Sequence, residues 1–328
     1  MNTFDKSNIG TKQSLVKTIY LPELCSEEEL NTLKGHHLDD GWILHLFDED
    51  VDLFSEDGKF ILSFRKKLLK ETEVGFENYK KMINPSRGRG ASAGQIDPDL
   101  LYWKKRNLTN TKGISTSYTV NGKVSKMKIN NPVYSTPIGY FDKSNGGLGK
   151  NLPCRLTSFT KPNLKEYEAG FPFLKEIAEN YKTIRPEEYN KQLERADLKS
   201  EYKIPDTPFS TITLNRNFRT ALHKDAGDFG GIACLSVLEE GKFNGGLFMI
   251  PRYGIGINMR HGDLLIADVH QYHCNTELWE TPEQKEYNQV NCHSFKKVNK
   301  YLGFVGIEHD FTRMSFVCYL REKLINCD

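Results

Sequence analysis

The feature that most constrains the fold is a succession of short apolar runs from about Phe209 to the end of the chain. These runs are rich in β-branched and aromatic residues, and turns rich in glycine separate them. They read TITLN, GIACLSVL, GGLFMIP, DLLIADV and MSFVCYL. Several short strands at close spacing are typical of a barrel or jelly roll. We therefore predict a double-stranded β-helix, a cupin-like jelly roll, over about residues 209–328.

A helical region precedes this β core, over about residues 163–200. Apolar side chains recur there near helical spacing: Leu164, Tyr167, Phe171, Leu174 and Ile177. Two glutamates follow Pro186, which favours the start of a second helix at this proline. The combination predicts an α+β protein in which helices pack against the jelly roll. We divide the chain into an N-terminal extension with strands, residues 1–54, and a single domain, residues 55–328.

The charge of the chain is nearly balanced, with 45 basic and 43 acidic residues and a formal net charge of +2. This balance does not exclude a nucleic-acid binder, because binding depends on where the charges cluster. Basic residues cluster locally at 65–67, 104–106, 123–128 and 296–297, and a solvated surface is the simpler interpretation of each cluster alone. Arg87 and Arg89 are more suggestive, because they stand in a glycine-rich loop that could approach DNA.

The cysteines do not form a recognisable framework. There are seven, an odd number, and no CxxC pair occurs. We therefore expect no disulfide framework and a reducing compartment. The first residues lack the apolar run of a signal peptide, and no stretch approaches the roughly 20 apolar residues of a membrane span. These observations predict a soluble intracellular protein.

The main chemical signal is the segment LNRNFRTALHKDAGDFGG, which contains His223-Lys224-Asp225. Residues two apart in a strand point to the same face, so His223 and Asp225 can present an imidazole and a carboxylate to one metal. A second histidine would complete the two-histidine, one-carboxylate set of non-haem Fe(II) oxygenases. An HxD pattern alone is common by chance, so the prediction of a metal site depends on a third ligand elsewhere in the chain.

Two histidines downstream can supply the third ligand. The segment HGDLLIADVHQYHCNTE contains a turn at residues 262–263, a strand over 264–267, and then His270 and His273. One of them would bind the metal, and the other would lie around the site or face a substrate.

A cation is also required if 2-oxoglutarate is the co-substrate. A guanidinium suits its distal carboxylate, because it can form two parallel hydrogen bonds. In barrels of this kind that group sits on the last strand, which here reads TRMSFVCYLRE. Arg313 stands at its start, and Ser315 shares its face. Arg321 is the alternative, although an exposed charge at the strand's end is its simpler interpretation.

Taken together, these segments resemble the TET/J-binding-protein family of dioxygenases, which oxidise the methyl group of thymine or 5-methylcytosine in DNA. The resemblance rests on NRNFRTALHKDAGDFGG, FNGGLFMIPRYG, HGDLLIADVHQYHCNTE and RMSFVCYLRE. Upstream, DGKFILSFRKKLL, RGRGASAG, TPIGYFD and PCRLTSFT are also similar to family segments. The resemblance therefore runs from about residue 55 to the C-terminus.

The resemblance implies a jelly roll, Fe(II), and 2-oxoglutarate and O2 as co-substrates. It places His223 and Asp225 as the first two ligands and Arg313 on the co-substrate. It favours His273 over His270, because the family's distal histidine is followed by a small residue, Asn and Thr. One departure is a polar stretch over about 279–309, which separates the distal histidine from the arginine. We interpret this stretch as an inserted loop near the site.

The resemblance also implies a DNA substrate. A base inside a duplex cannot reach such a pocket, so it must be flipped out. The flipped pyrimidine would need an aromatic ring to stack on and polar groups at its edge. Candidates by proximity to the motifs are Asn215, Asn217, Arg219, Arg155, Tyr140 and Phe141. Each of them could equally be a core or surface residue.

Two other functional classes stay open. The chain could be a 2-oxoglutarate-dependent hydroxylase of a protein or small molecule, because the ligand set alone does not fix the substrate. It could also be a non-catalytic cupin-like binding module, although the intact ligand set argues against this.

Overall fold

The computed structural model describes residues 16–327 except 87, 100, 109–112, 122, 126–127, 147–149 and 296–308. Its helices are α1 (Glu27–Thr32), α2 (Thr72–Tyr79), α3 (Leu101–Lys104), α4 (Leu164–Ala169), α5 (Phe171–Ile184), α6 (Pro186–Asp197) and α7 (Pro282–Asn291). Its strands are β1 (Lys17–Leu21), β2 (His45–Phe47), β3 (Val51–Ser55), β4 (Phe60–Arg65), β5 (Pro85–Ser86), β6 (Asn107–Leu108), β7 (Tyr118–Val120), β8 (Lys123–Val124), β9 (Val133–Phe141), β10 (Ser144–Gly146), β11 (Lys150–Leu152), β12 (Arg155–Leu156), β13 (Thr211–Arg216), β14 (Ile232–Glu240), β15 (Asn244–Gly245), β16 (Phe248–Ile250), β17 (Ile255–Ile257), β18 (Leu264–Asp268), β19 (Cys274–Asn275), β20 (Leu278–Trp279) and β21 (Thr312–Tyr319).

Two facing sheets form the core of the molecule. The main sheet has the order β1-β3-β4-β18-β14-β21-β13-β9-β12, with β5 beside β9. The second sheet has the order β19-β16-β17-β2. Buried side chains of both sheets meet in one cluster, which includes Leu53, Phe64 and Val237 from the main sheet and Phe248 and Ile255 from the second. This arrangement is the predicted jelly roll.

The opposite face of the main sheet packs on helices. Because side chains alternate along a strand, Ile212 and Leu214 of β13 point to this face and join the helical core. Helix α5 contributes a buried stripe of Phe173, Leu174, Ile177, Ala178 and Tyr181. The intervening β13 residues, Thr213 and Asn215, line a cavity on the other face.

The fold class and the helical region are as predicted. Helices α4, α5 and α6 occupy the expected stretch. Gly170 closes α4, and Pro172 lies in the first turn of α5, so the residues that interrupt the apolar pattern mark a break between two helices. Pro186 is the first residue of α6.

The N-terminal segment contributes strands to both sheets. β1 and β3 extend the main sheet beyond β4, and β2 pairs with β17 in the second sheet. The division that we drew between residues 54 and 55 falls at the end of β3. That division stays a prediction.

One expectation about the cysteines was wrong. Cys154 and Cys327 form a disulfide, although 173 residues separate them. The bridge joins the loop before β12 to the C-terminal segment, and sequence spacing alone cannot show that two such distant segments meet. The other cysteines are free. Among the described residues, none of the helices combines the length and the apolar character needed to cross a membrane.

Candidate metal centre

Three side chains converge at one end of the jelly roll. His223 and Asp225 lie in the connection between β13 and β14, and His273 directly precedes β19. The backbones of the two histidines pair, with His223 N donating to His273 O at 3.1 Å and His273 N donating to His223 O at 2.9 Å. Asp225 is fixed by its own amide, which donates to Val269 O at 3.0 Å.

The ligand atoms of these three residues all lie within 4.8 Å of one another. His223 Nε2 is 3.7 Å from Asp225 Oδ1, and His273 Nε2 is 3.8 Å from Asp225 Oδ2. These separations are too long for hydrogen bonds. The three groups therefore face a common point but do not form hydrogen bonds with one another. Two imidazoles and a carboxylate are the donor set that suits Fe(II) and leaves positions open for co-substrates. Within the described part of the chain, no other group of three such side chains converges in this way.

The local hydrogen bonds orient both imidazoles. His223 Nδ1 lies 2.8 Å from Ala221 O, and His273 Nδ1 lies 3.0 Å from Gln271 O. A proton on each Nδ1 would satisfy these carbonyls and leave each Nε2 lone pair for a metal. Burial, reinforced by His273, lowers the pKa of His223 to about 4. This imidazole is therefore neutral near pH 7, the form that binds a metal.

His270 lies outside this cluster. It is exposed, its amide donates to Asp268 Oδ1 at 3.0 Å, and its ring lies against Gly231. Of the two histidines that the sequence left open, the structure thus brings His273 to His223 and Asp225.

A cavity of about 460 Å³ connects the three side chains to Arg313. Arg313 lies near the start of β21, opposite Glu239 of β14, and only 4% of it is exposed. Its Nε has no hydrogen-bond partner among the described residues. Burial lowers the pKa of Arg313 to about 10, and the neighbouring Glu239 opposes this shift. A buried guanidinium with an unsatisfied N–H is suited to hold a carboxylate in the cavity.

Two of the predicted substrate residues, Asn215 and Asn217, form hydrogen bonds to β21. Asn215 lines the cavity, accepts a hydrogen bond from Ser135 at 2.6 Å and donates to Ser315 at 3.2 Å. Asn217 is not among the cavity-lining residues. Its Oδ1 accepts from Arg313 N at 2.7 Å and its Nδ2 donates to Phe311 O at 2.9 Å, so it fixes the backbone at the start of β21.

The other four predicted substrate residues do not line this cavity. Arg219 donates to Leu38 O at 3.1 Å, and Arg155 donates to Pro153 O at 2.8 Å. Tyr140 packs edge-on against the ring of Tyr202. The ring of Phe141 contacts a residue that lines the cavity, Arg321, whose guanidinium lies 4.6 Å from the ring centroid.

The structure brings Arg89, Asp228 and Arg321 together at the cavity. Of these three, the sequence had pointed to both arginines but not to Asp228. Arg321 donates to Asp142 at 3.0 Å, and its backbone pairs with that of Asp228. Burial, reinforced by Asp225, raises the pKa of Asp228 well above its ordinary value. Arg321 follows the end of β21 and Arg313 lies near its start, so the two arginines line different ends of the cavity.

The only sequence signal for Asp228 is its place three residues after Asp225.

Two further predictions concern loops. Arg87 and the pair at 296–297 lie outside the described residues. The stretch interpreted as an insertion contains β20 and α7. Asn288 of α7 bonds both backbone groups of Lys242 at 2.7 Å, which holds the helix beside the end of β14. Helix α7 of this stretch therefore lies beside the strand end that faces Arg313.

Comparison with known proteins identifies the family of the chain. The Tet_JBP family model, described as the oxygenase domain of the 2OGFeDO superfamily, matches residues 136–322, more than half of the chain. Thymine dioxygenase JBP1 of Trypanosoma brucei brucei is 37% identical over 155 residues, which are 47% of this chain and 18% of that protein. The same enzyme of Leishmania tarentolae is 31% identical over 207 residues, 62% of this chain and 24% of that protein.

The chain spans about a quarter or less of the length of these curated relatives. Among solved structures, NgTET1 in complex with 5mC DNA aligns with 92% of this chain and 94% of its own, at 9% identity and a TM-score of 0.48. The 2OGFeDO superfamily comprises oxygenases that use Fe(II), 2-oxoglutarate and O2. From the match over residues 136–322, the chain belongs to the TET/JBP family of oxygenase domains.

Proposed function

We propose that the chain hydroxylates the methyl group of a 5-methylpyrimidine in DNA, thymine or 5-methylcytosine, using Fe(II) and 2-oxoglutarate. One observation carries the proposal: a single cavity joins the His223, Asp225 and His273 cluster to the buried guanidinium of Arg313. A metal site and a buried cation that line the same cavity suit a dicarboxylate co-substrate. Membership of the TET/JBP family supports the DNA substrate. The relatives named thymine dioxygenases make thymine the first base to test.

Each side chain of the site then has a distinct task. His223 Nε2, a carboxylate oxygen of Asp225 and His273 Nε2 hold the metal. Arg313 binds the distal carboxylate of 2-oxoglutarate. When bound, iron with 2-oxoglutarate and O2 supplies an oxidant that inserts one oxygen atom into a methyl C–H bond, with succinate and CO2 as co-products.

Ser315 supports the same carboxylate as Arg313. It lies on the same face of β21, two residues further on, and Asn215 orients its hydroxyl through the hydrogen bond at 3.2 Å. The Asn215 amide is itself fixed by Ser135. This chain of hydrogen bonds pre-sets the co-substrate site before it is occupied.

The polar group of Arg89, Asp228 and Arg321 is suited to the edge of a flipped base. A pyrimidine presents both hydrogen-bond acceptors and a donor on its Watson–Crick edge, and enzymes that flip bases read this edge. Arg321 can donate to a base carbonyl. Asp228 can accept from a ring N–H or exocyclic amine when ionised, and can donate when protonated.

The experiment that tests the proposal measures succinate formed from 2-oxoglutarate with and without DNA. Thymine-containing duplex DNA or DNA with 5-methylcytosine should stimulate turnover. If succinate forms without DNA and neither DNA raises its rate of formation, the chain is instead a hydroxylase of a protein or a small molecule. The proposed substrate also requires the protein to act where DNA is present, in the nucleus or cytoplasm according to the host.

A further inference from the structure

A second cavity lies on the helix side of the main sheet, behind the loop that carries Asp225. Its volume of about 780 Å³ is within the usual range for small-molecule sites, about 300–1,000 Å³. One wall is a single face of α6 and the residue that follows it, formed by Glu188, Lys191, Gln192, Arg195 and Leu198. The other wall contains Phe60, Phe229 and Ile232. We call this cavity the α6 groove.

The walls of the α6 groove are largely apolar. Phe60 and Ile232 reach it from the ends of β4 and β14, and Phe229 reaches it from the loop between Asp225 and β14. Leu198 stands at the rim with 62% of its surface exposed. An apolar ligand body would cover these side chains and remove them from water, which is favourable.

The acidic and basic side chains of the groove differ in whether they already have partners within the protein. Glu188 accepts a hydrogen bond from Arg185 Nε at 3.1 Å. Asp268 accepts from His270 N at 3.0 Å and from Gln271 Nε2 at 3.3 Å. Both carboxylates are therefore already partnered within the protein.

The cations of the groove are not partnered in this way. Lys191 and Arg195 stand one turn apart on α6, and neither forms an ion pair within the part of the chain that the structure describes. The Nε of Arg195 is buried without a hydrogen-bond partner there, and its guanidinium lies 5.5 Å from the Phe229 ring centroid. Glu194 and Lys191 also line the groove but are exposed, so water screens both charges. The half-buried charge of the groove that has no ion-pair partner among the described residues is therefore the positive charge of Arg195.

We propose that the α6 groove binds a small amphipathic organic anion. Its apolar body packs against Phe60, Phe229 and Ile232, and its carboxylate or phosphate head pairs with Arg195 and Lys191. The proposal is independent of the DNA substrate proposed above.

The groove lies directly behind the metal-bearing segments. Val269 N donates to Gly231 O at 2.8 Å, and Asp225 N donates to Val269 O at 3.0 Å. The loop that contributes Phe229 to the groove is thus tied to the backbone that positions Asp225. A bound ligand should restrain residues 228–232, which gives a local readout of occupancy.

The test uses the full chain and calorimetric titration with octanoate and octyl phosphate, which share the apolar body and differ in the head. At least one of them should bind at least tenfold more tightly than acetate, inorganic phosphate or 1-octanol, which lack one of the two parts. The comparison between octanoate and octyl phosphate identifies the preferred head.

Variants locate the site. Arg195→Ala and Leu198→Asp should each weaken the preferred ligand at least tenfold, and Arg195→Lys should retain most of the affinity. Lys199→Ala is the matched control, because it removes a cation near the end of α6 that does not line the groove. Both Arg195 and Leu198 reach solvent, so these changes should leave the fold intact, which circular dichroism checks.

Hydrogen exchange is a second measurement of ligand binding in the α6 groove. Saturating ligand should slow amide exchange in residues 228–232 of the wild type and leave the Arg195→Ala variant unchanged. The proposal is overturned if neither ligand binds at millimolar concentration, or if both variants bind as the wild type does.

Discussion

Three side chains of the metal centre face one point. His223, Asp225 and His273 are held by backbone pairing and by carbonyl groups that orient each imidazole. The Nε2 atoms of the two histidines lie 3.7 and 3.8 Å from the carboxylate oxygens of Asp225, which is too far for hydrogen bonds. The set is therefore prepared for a cation.

Replacing any of these three residues by alanine should abolish turnover and weaken metal binding. The loss should appear in calorimetric titration with Mn(II), a redox-stable substitute for Fe(II), as an affinity lowered at least tenfold. His270→Ala is the matched control and should keep the affinity of the wild type, because that ring is outside the cluster. If His270→Ala loses the metal while His273→Ala retains it, the distal ligand is misassigned.

Arg313→Met should raise the apparent KM for 2-oxoglutarate by well over tenfold. Losing one partner of a buried, hydrogen-bonded charge pair costs about 2–5 kcal/mol, and each 1.4 kcal/mol is about tenfold in affinity. Mn(II) affinity should be preserved, which separates this effect from loss of the metal site. The assignment is wrong if steady-state kinetics show an unchanged KM, or if Arg321→Met produces the larger change.

Arg321→Met should instead affect the DNA substrate. Its guanidinium lies at the other end of the cavity, held by Asp142 and Phe141. We expect the KM for DNA to rise at least tenfold, while succinate formation in the absence of DNA stays near that of the wild type. A change in the DNA-independent reaction alone would place Arg321 on the co-substrate.

At the scale of elements, Asn217 links β13 to the start of β21. Its φ of +45° is rare for a residue other than glycine, and its side chain bonds the backbone of Arg313 and Phe311. Asn217 is thus a positioning residue for Arg313.

Asn217→Ala should destabilise the fold by about 1–3 kcal/mol, because it removes two buried hydrogen bonds and strains the backbone. Urea unfolding measures this loss of stability. The KM for 2-oxoglutarate should also rise, because the backbone that positions Arg313 is no longer fixed. Asn217→Gly separates the two causes, because glycine accepts a positive φ without strain. If Asn217→Gly matches the wild type in both measurements, the side-chain hydrogen bonds have no role.

The sequence was most informative where periodicity is strong. The start of α6 at Pro186 follows from local backbone preferences, and the jelly-roll strands follow from short β-branched runs. The sequence did not predict that the first helix divides into α4 and α5 at Gly170. The sequence was least informative about contacts between distant segments. Nothing local shows that β1 and β3 join the main sheet, or that Cys154 meets Cys327.

The same distinction applies to the site. His223 and Asp225 are close in sequence, and the resemblance to the TET/JBP family selected His273. Asn217 was assigned to the substrate because it is near the HxD motif, but its side chain serves the backbone of β21. Asp228 was overlooked because its place at the cavity depends on pairing with Arg321 after the last strand.

For the whole molecule, the proposed function joins a cavity for small co-substrates to a polymeric substrate. Its formal net charge of +2 provides little general attraction for DNA. Affinity must then come from local cations near the cavity, such as Arg89 and Arg321.

DNA binding should weaken as salt concentration rises, because contacts to phosphates release counterions. Fluorescence anisotropy with a labelled duplex between about 50 and 200 mM salt would give a straight line of log affinity against log salt with a negative slope. Arg89→Ala should make this slope shallower if it contacts a phosphate. An affinity that does not depend on salt would contradict phosphate binding by this face.

Mass spectrometry of nucleosides from DNA treated with the protein, Fe(II), 2-oxoglutarate and O2 tests the proposed hydroxylation directly. We predict 5-hydroxymethyluracil from thymine or 5-hydroxymethylcytosine from 5-methylcytosine, no change in unmethylated cytosine, and no product with His223→Ala. Unaltered thymine and 5-methylcytosine, in a reaction whose succinate formation shows a competent iron centre, would contradict it.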